Sequence, residues 1–321
     1  MNGEKYAIIA DPKSKIWPFV NAVYQSLHAR DPGFYLNALE IERFPTNEFK
    51  PIITRNVRKR ECYYFPDPMQ DPSRWFTELC LVNNAIRWAH AGENINVLTY
   101  MPFARQDRRD VPRTSISAKV ALQAAGYFGA TNIMTLDLHS EQTEGFSDVP
   151  IDALYSFPTV VKHLQDNHSD ILRDIVFQST DVGGGKRTAR FAKKAGKGEL
   201  ALSYKTRKYA GAVENVKILG NIKGRNVFQI DDLLDSGGTL NQNAIEARAQ
   251  GANRLDAYCT FSIFTKGIDT VIKHQDKLYV SDVLITPPHP KIEIISMAPL
   301  FAEAIYRSSQ GESISEMFAI K

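Results

Sequence analysis

Cysteine is nearly absent. The three present, Cys62, Cys80 and Cys259, show no metal-ligand spacing. That excludes a disulfide-stapled scaffold or a zinc finger and predicts reduced thiols in a cytoplasmic protein. Long hydrophobic runs are also missing. No apolar stretch reaches membrane-spanning length, and Met1 to Pro18 lacks the hydrophobic core of a secretory signal, so no membrane partner is expected. A surplus of one charge is missing too. The 39 basic and 36 acidic residues leave a net +3, too small a bias to argue for nucleic acid, and no nucleic-acid partner is expected. There is no low-complexity segment and no short-period repeat. What is left is a chain of 321 residues, 43% hydrophobic, long enough for one large or two ordinary globular domains.

Apolar runs of strand length alternate with amphipathic runs of helix length. The strands are predicted at Tyr6–Ala10, Ile95–Tyr100, Asn132–Leu136, Ile175–Gln178, Glu199–Tyr204, Asn226–Ile230 and Arg254–Thr260. Helices are predicted at Ile16–Leu27, Trp75–Ala89, Ser117–Phe128, Arg187–Lys194 and Thr239–Ala249, several ending at a glycine turn. Such alternation predicts an α/β fold with largely parallel sheets flanked by helices. The pattern runs twice, with a loop region near Pro150 to Pro158 between the halves. Two tandem domains of similar build are expected, at 1–153 and 154–297. The last segment, 298–321, is expected to be helical and to pack back across the boundary.

The stretch Val227-Phe-Gln-Ile-Asp-Asp-Leu-Leu-Asp-Ser-Gly-Gly-Thr239 concentrates chemistry. A buried strand is followed by a loop and then by a new helix. Open α/β sheets bind ligands at just this end of a parallel strand. Gly237 and Gly238 let the backbone approach a ligand and turn N–H groups inward, Ser236 and Thr239 add hydroxyls, and the helix adds its positive end. Together with Asp235 they suit a monophosphate. Asp231 and Asp232 would repel a phosphate, but they suit a sugar diol. Ribose 5-phosphate has both ends. A bare helix cap with two solvated acids would not need so many special residues.

Three further strand ends carry candidate groups. Met101 to Lys119 holds Arg105, Gln106, Asp107, Arg108, Arg109, Asp110 and Arg113; clustered guanidinium groups grip phosphate oxygens two at a time. The next predicted strand leads into Asp137-Leu138-His139. After Ile175–Gln178 come Asp181 and the run Gly183-Gly184-Gly185-Lys186-Arg187. The last resembles a Walker loop but fails it, because Thr180 stands at the first glycine and Arg187 follows the lysine. Asp181 is a candidate Mg2+ ligand. Finally, Lys205, Arg207 and Lys208 lead into a Gly- and Ala-containing loop that is suited to closing over developing negative charge.

All four pieces, in this order, resemble the phosphoribosyl diphosphate (PRPP) synthetase family. The likeness runs from Arg43-Phe44 to Glu312–Phe318. Its most specific parts are Pro-Phe-Ala-Arg-Gln-Asp-Arg-Arg, Asp-Leu-His-Ser-Glu-Gln, Thr-Asp-Val-Gly-Gly and the diacid loop. The diacid loop alone would equally fit a phosphoribosyltransferase that consumes PRPP. A non-catalytic regulatory paralogue would have lost His139, Asp181, Lys205 or Arg207, and all four are present. The resemblance implies two tandem phosphoribosyltransferase-like domains and transfer of a diphosphoryl group from ATP to ribose 5-phosphate. It implies that Phe44, Glu48, Arg105, Gln106 and Asp110 contact ATP, and that His139 and Asp181 hold Mg2+. Lys205 and Arg207 would act on the transferred phosphoryl, with His139 beside them. Asp231 and Asp232 would face the sugar, and Asp235, Ser236, Gly237, Gly238 and Thr239 the 5-phosphate. Assembly into homo-oligomers, hexamers built from dimers, is implied as well. Two departures from the family stand out. Thr46 occupies the place of an acid next to the base-contacting aromatic, and Thr260-Phe261-Ser262 replaces a Thr-His pair.

Overall fold

The computed structural model describes residues 3–206 and 215–320. Two compact units divide the chain. One comprises Met1–Leu154 with Ala298–Met317, the other Tyr155–Met297 with Phe318–Lys321.

The first unit contains β1 (Tyr6–Ala10), α1 (Trp17–Arg30), β2 (Phe34–Arg43), β3 (Phe49–Ile53), β4 (Glu61–Tyr64), α2 (Pro72–Trp88), β5 (Glu93–Leu98), α3 (Ser117–Phe128), β6 (Asn132–Leu136) and β7 (Ile151–Leu154). The second contains α4 (Phe157–Asn167), α5 (Ser169–Leu172), β8 (Ile175–Ser179), α6 (Gly185–Lys194), β9 (Leu200–Thr206), β10 (Asn215–Leu219), β11 (Asn226–Leu234), α7 (Gly238–Ala249), β12 (Arg254–Ser262), α8 (Ile268–Val271), β13 (Lys277–Ser281) and β14 (Ile292–Ile295). Helix α9 (Ala298–Gln310) belongs to the first unit, where Phe301 meets Phe19 of α1 edge to face and Glu303 pairs with Arg30 at 2.5 Å.

The first sheet has the order β3-β2-β1-β4-β5-β6-β7 and the second β10-β9-β8-β11-β12-β13-β14. These are the same order twice. Every pairing is parallel except the two edge hairpins, β2–β3 and β9–β10. Strand order reverses between β1 and β4, and again between β8 and β11. Reversals of this kind open a crevice at the carboxyl ends of the strands.

Several predicted boundaries move. Strand β11 continues past Ile230 to Leu234, because β12 runs alongside it through Leu233↔Phe261 and Leu234↔Ser262. The two acids are therefore on the strand and not in the loop after it. The stretch from Pro150 to Pro158 is not a loop. Its first part is β7, paired in register with β6, and α4 begins at Phe157. Helix α9 stops at Gln310 and not near Ile320, since Gly311 takes a φ of +69°, and a turn of 3₁₀ helix follows at Ser315–Phe318.

On one face of the second sheet Phe177, Phe228, Tyr258 and Tyr279 form an aromatic layer with Phe191 of α6, ring centroids 5.6–6.3 Å apart. The other face carries a buried row of amides under α7. Gln275 donates to Gln229 (2.9 Å), Gln229 to Gln178 (3.1 Å), Gln178 to Asn243 (3.1 Å), and Asn243 to the Thr180 carbonyl (3.0 Å). The first unit has a smaller relative of this row. Asn83 on α2 accepts from Asn94 and Asn96 on β5 and donates back to Asn96, each at 2.8 Å. All three are buried. Replacing Asn83 with leucine strands two amide donors and one acceptor away from water. The expected loss is at least about 2 kcal/mol, read as a lower urea midpoint; an unchanged midpoint would mean the amides find other partners.

Candidate active site

The carboxyl edge of the second sheet gathers three strand ends. The central pair, β8 and β11, lies at the order reversal, with Asn226↔Ile175 through Ile230↔Ser179 in register. Asp181 follows β8 by two residues. Its Oδ1 accepts from the Gly184 N–H at 2.7 Å, closing the turn that opens α6. A side chain at Gly184 would come within 2.7 Å of the Ser179 hydroxyl, so glycine is required there by space.

Pleating turns Asp231 and Asp232 to opposite faces. Asp231 points to the α7 side and accepts from the Thr180 hydroxyl (2.8 Å) and the Asp232 N–H (2.9 Å). Asp232 points to the α6 side, where Arg187 donates to it at 2.9 Å. The residue that breaks the Walker pattern is thus the cation that neutralises the second acid. Burial and the neighbouring Asp232 charge raise the Asp231 carboxyl well above the aspartate range, against lowering contributions from Thr180 and Arg187.

Beyond the acids, Asp235 is pinned by Thr265, whose hydroxyl donates to its carboxylate at 2.5 Å and whose N–H donates to its carbonyl at 3.2 Å. Gly237 precedes α7 with a φ of +73°, and a Cβ there would lie 2.8 Å from the Cα of Val271. Conformation and space both demand glycine at this position. Gly238 is less constrained; an added Cβ would meet only the Ser236 hydroxyl, at 3.7 Å. Ser236 and Gly238 are exposed, and Thr239 lies in the first turn of α7. A loop of this build, ending in a helix amino terminus, can hold a phosphate. Lys205 lies on β9, whose carboxyl end neighbours that of β8. Arg207 lies outside the described residues.

In the first unit the loop from β5 to α3 carries Arg105, Gln106 and Asp110, and the segment after β6 carries His139; all four are exposed. Strands β5 and β6 are parallel neighbours, so these groups leave the same edge of one sheet. Gln106 is tied to α3, its Oε1 accepting from Ser117 at 2.6 Å and its carbonyl from Ala118. Two residues before His139, Asp137 is buried and holds a φ of +38°. A positive φ in a non-glycine residue at a strand end is strained. Phe44 and Glu48 lie in the turn of the β2–β3 hairpin, at the carboxyl end of β2. Thr46, standing where an acid was expected, donates to Glu48 at 2.7 Å.

The structure therefore groups the candidates by unit: Asp181, Lys205 and 231–239 on one sheet edge, Phe44, Glu48, Arg105, Gln106, Asp110 and His139 on the other sheet's edge. Arg187, Thr180 and Thr265 escaped sequence reasoning. Only Arg187 had a signal, a cation near the start of the helix that follows a glycine run.

Comparison with known proteins bears on the family and the fold. Residues 17–129 match the N-terminal domain of ribose phosphate pyrophosphokinase. A ribose-phosphate pyrophosphokinase of Thermosipho africanus is 34% identical over 289 residues, covering 89% of this chain and 91% of that protein. The chain belongs to the ribose-phosphate pyrophosphokinase family. A relative of the same name from Vibrio vulnificus is 34% identical over 285 residues, spanning 87% and 90% of the two chains. The crystal structure of phosphoribosylpyrophosphate synthetase from Mycobacterium smegmatis superposes with a TM-score of 0.82, covering 96% of this chain and all of that one, at 23% identity. The fold is thus that of the pyrophosphokinase family, with two phosphoribosyltransferase-like sheets in tandem. Among the described residues no helix is long and apolar enough to cross a membrane.

Because the folded chain keeps a proton on Asp231 that the unfolded chain gives up at lower pH, this group costs stability as pH rises from the ordinary aspartate range toward neutrality. Asp231→Asn has no such proton to lose. It is expected to be more stable than the parent at pH 8, with the advantage vanishing below about pH 4. Urea titrations at the two pH values check this, and an equal difference at both would contradict it.

Proposed function

We propose that this chain transfers the β,γ-diphosphoryl group of ATP to the 1-hydroxyl of ribose 5-phosphate, giving PRPP and AMP. Family membership across nearly nine-tenths of the chain carries the reading. The strand-loop-helix at 231–239, placed at the reversal of strand order, supports it. Residues 1–153 serve ATP and 154–297 serve ribose 5-phosphate, with 298–321 as a third, largely helical segment.

The 5-phosphate sits on Asp235, Ser236, Gly237, Gly238 and Thr239, where backbone N–H groups and hydroxyls meet the amino end of α7. Asp231 and Asp232 accept from the sugar hydroxyls. Arg187 pairs with Asp232 and fixes its direction. Arg105, Gln106 and Asp110 hold the nucleotide, and Phe44 and Glu48 contact its base. The sugar 1-oxygen attacks the β-phosphorus in line. The bond from that phosphorus to the oxygen bridging to the α-phosphorus breaks, and AMP leaves with the electron pair. Lys205 and Arg207 stabilise the charge on the group in transit, so catalysis is mostly positioning and neutralisation.

Asp181 offers a carboxylate oxygen at a strand end, the donor type a hard cation takes, and His139 is exposed beside the basic loop. The carboxylate fits Mg2+, which binds few protein groups and keeps water and phosphate oxygens, and His139 is the second ligand that the family resemblance adds. When bound, Mg2+ would shield the triphosphate charge. The chain is assigned to the cytoplasm as a homo-oligomer built from dimers.

Two measurements test the reading. Incubation with ATP and ribose 5-phosphate should release AMP, and Lys205→Ala or Arg207→Ala should lower turnover by on the order of 100-fold with little change in substrate affinity. Parent-like turnover in both variants removes the two residues from the mechanism. The double change Asp231→Asn with Asp232→Asn should weaken ribose 5-phosphate far more than ATP, measured by titration calorimetry; equal losses would refute the sugar assignment.

A further inference from the structure

The second unit carries a cluster that the proposed reaction does not use. His163 on α4, His168 between α4 and α5, and Glu293 on β14 converge, with one ligand atom from each lying within 4.8 Å of the others. Both imidazoles address the same oxygen. His163 Nε2 lies 2.6 Å and His168 Nε2 2.8 Å from Glu293 Oε1. The other carboxylate oxygen, Oε2, is held by Lys277 Nζ at 2.5 Å. Tyr279, paired in register with Glu293, packs its ring edge to face against both imidazoles, at 6.3 and 5.3 Å. Each side chain keeps a fifth to a quarter of its surface accessible, so the cluster is held in place and still open to solvent.

We propose that His163, His168 and Glu293 form a binding site for a zinc-class divalent cation, with water in the fourth position. The donors are two nitrogens and one oxygen. With two imidazoles among its three donors this site favours Zn2+ and its first-row neighbours over Mg2+, which binds chiefly through oxygen. Lys277 supplies the outer contact that orients the carboxylate and leaves Oε1 for the cation.

Two adjustments accompany binding. Ligand atoms around a tetrahedral zinc sit about 3.3 Å apart, so the two nitrogens must each withdraw by roughly half an ångström from Glu293 Oε1. His163 Nδ1 now accepts from the Asn167 amide at 3.3 Å, which leaves the proton on Nε2. A half-turn of Asn167 presents its oxygen instead and moves the proton to Nδ1, at the expense of its bond to the His163 carbonyl (3.1 Å).

The position assigns the ion its consequence. Lys277 opens β13, Glu293 lies near the start of β14, and His168 precedes β8. The cluster is thus at the amino-end edge of the sheet, opposite the carboxyl-end edge where β11 leads into the proposed sugar-phosphate loop, on the order of 15 Å away along a five-residue strand. A cation there ties the turn after α4 to edge strand β14. It strengthens the unit without entering the chemistry.

The test uses the full chain with His139→Ala and Asp181→Ala, which removes the proposed nucleotide-side ligands, stripped with a chelator and titrated with Zn2+ or Co2+. One equivalent of Zn2+ should bind and raise the melting temperature, and Co2+ should develop the visible absorption of a four-coordinate ion. Adding His168→Gln, which keeps a donor to Glu293, should weaken Zn2+ binding by at least about 100-fold, beyond what loss of an outer-shell contact costs. His163→Gln gives the same reading independently should the first variant fail to fold. Absence of Zn2+ binding in the parent background, unchanged affinity in the glutamine variants, or displacement of Zn2+ by an equal concentration of Mg2+ would each overturn the proposal.

Discussion

The pairing of β8 with β11 is the constraint on which the second unit depends. These two parallel neighbours are registered residue for residue from Ile175 and Asn226 upward, yet the chain leaves them toward opposite edges of the sheet. Their following segments therefore diverge, and the space between them cannot be closed by either. Asp181 comes from one wall and Asp231 from the other, bridged by the Thr180 hydroxyl. Behind that bridge the amide row from Gln275 to Asn243 ends on the Thr180 carbonyl. Leaving a group of such a buried row unpaired is costly, so the bond from Asn243 helps to hold Thr180 in place.

Charge follows from the same geometry. Pleating puts the two acids on opposite faces, where they meet different surroundings. Asp232 gains a guanidinium partner from α6, while among the described residues Asp231 accepts from the Thr180 hydroxyl and the Asp232 N–H and carries the cost of enclosure. Two adjacent residues of one type thus acquire unlike surroundings from the fold alone, and in those surroundings burial raises the pKa of Asp231.

Much of the layout was legible because it rests on local signals. Apolar runs of five or six residues fixed the central strands, and glycine turns fixed the ends of α3 and α7. The diacid loop was visible as chemistry without any coordinates. What escaped depends on partners distant in sequence. The continuation of β11 to Leu234 needs β12 beside it, and the role of Arg187 needs Asp232, 45 residues away. Strand β3 was hidden by Pro51, which is tolerated because the strand lies on a sheet edge. The His163–His168–Glu293 cluster spans 130 residues and has no spacing that a linear reading would notice.

The repeated strand order has a consequence for how the two halves diverge. Each sheet ends in one antiparallel ribbon, β2–β3 or β9–β10, entered from a strand parallel to its neighbours. Each ribbon holds the same edge position in its own sheet, β3-β2 in the first and β10-β9 in the second. The outermost strand of such a ribbon pairs within its sheet on one side only, so its length and residues are released from the packing rules that bind the inner strands. Ancestral duplication would thus have supplied two spare extensions at once, each able to acquire its own task without disturbing the sheet that bears it.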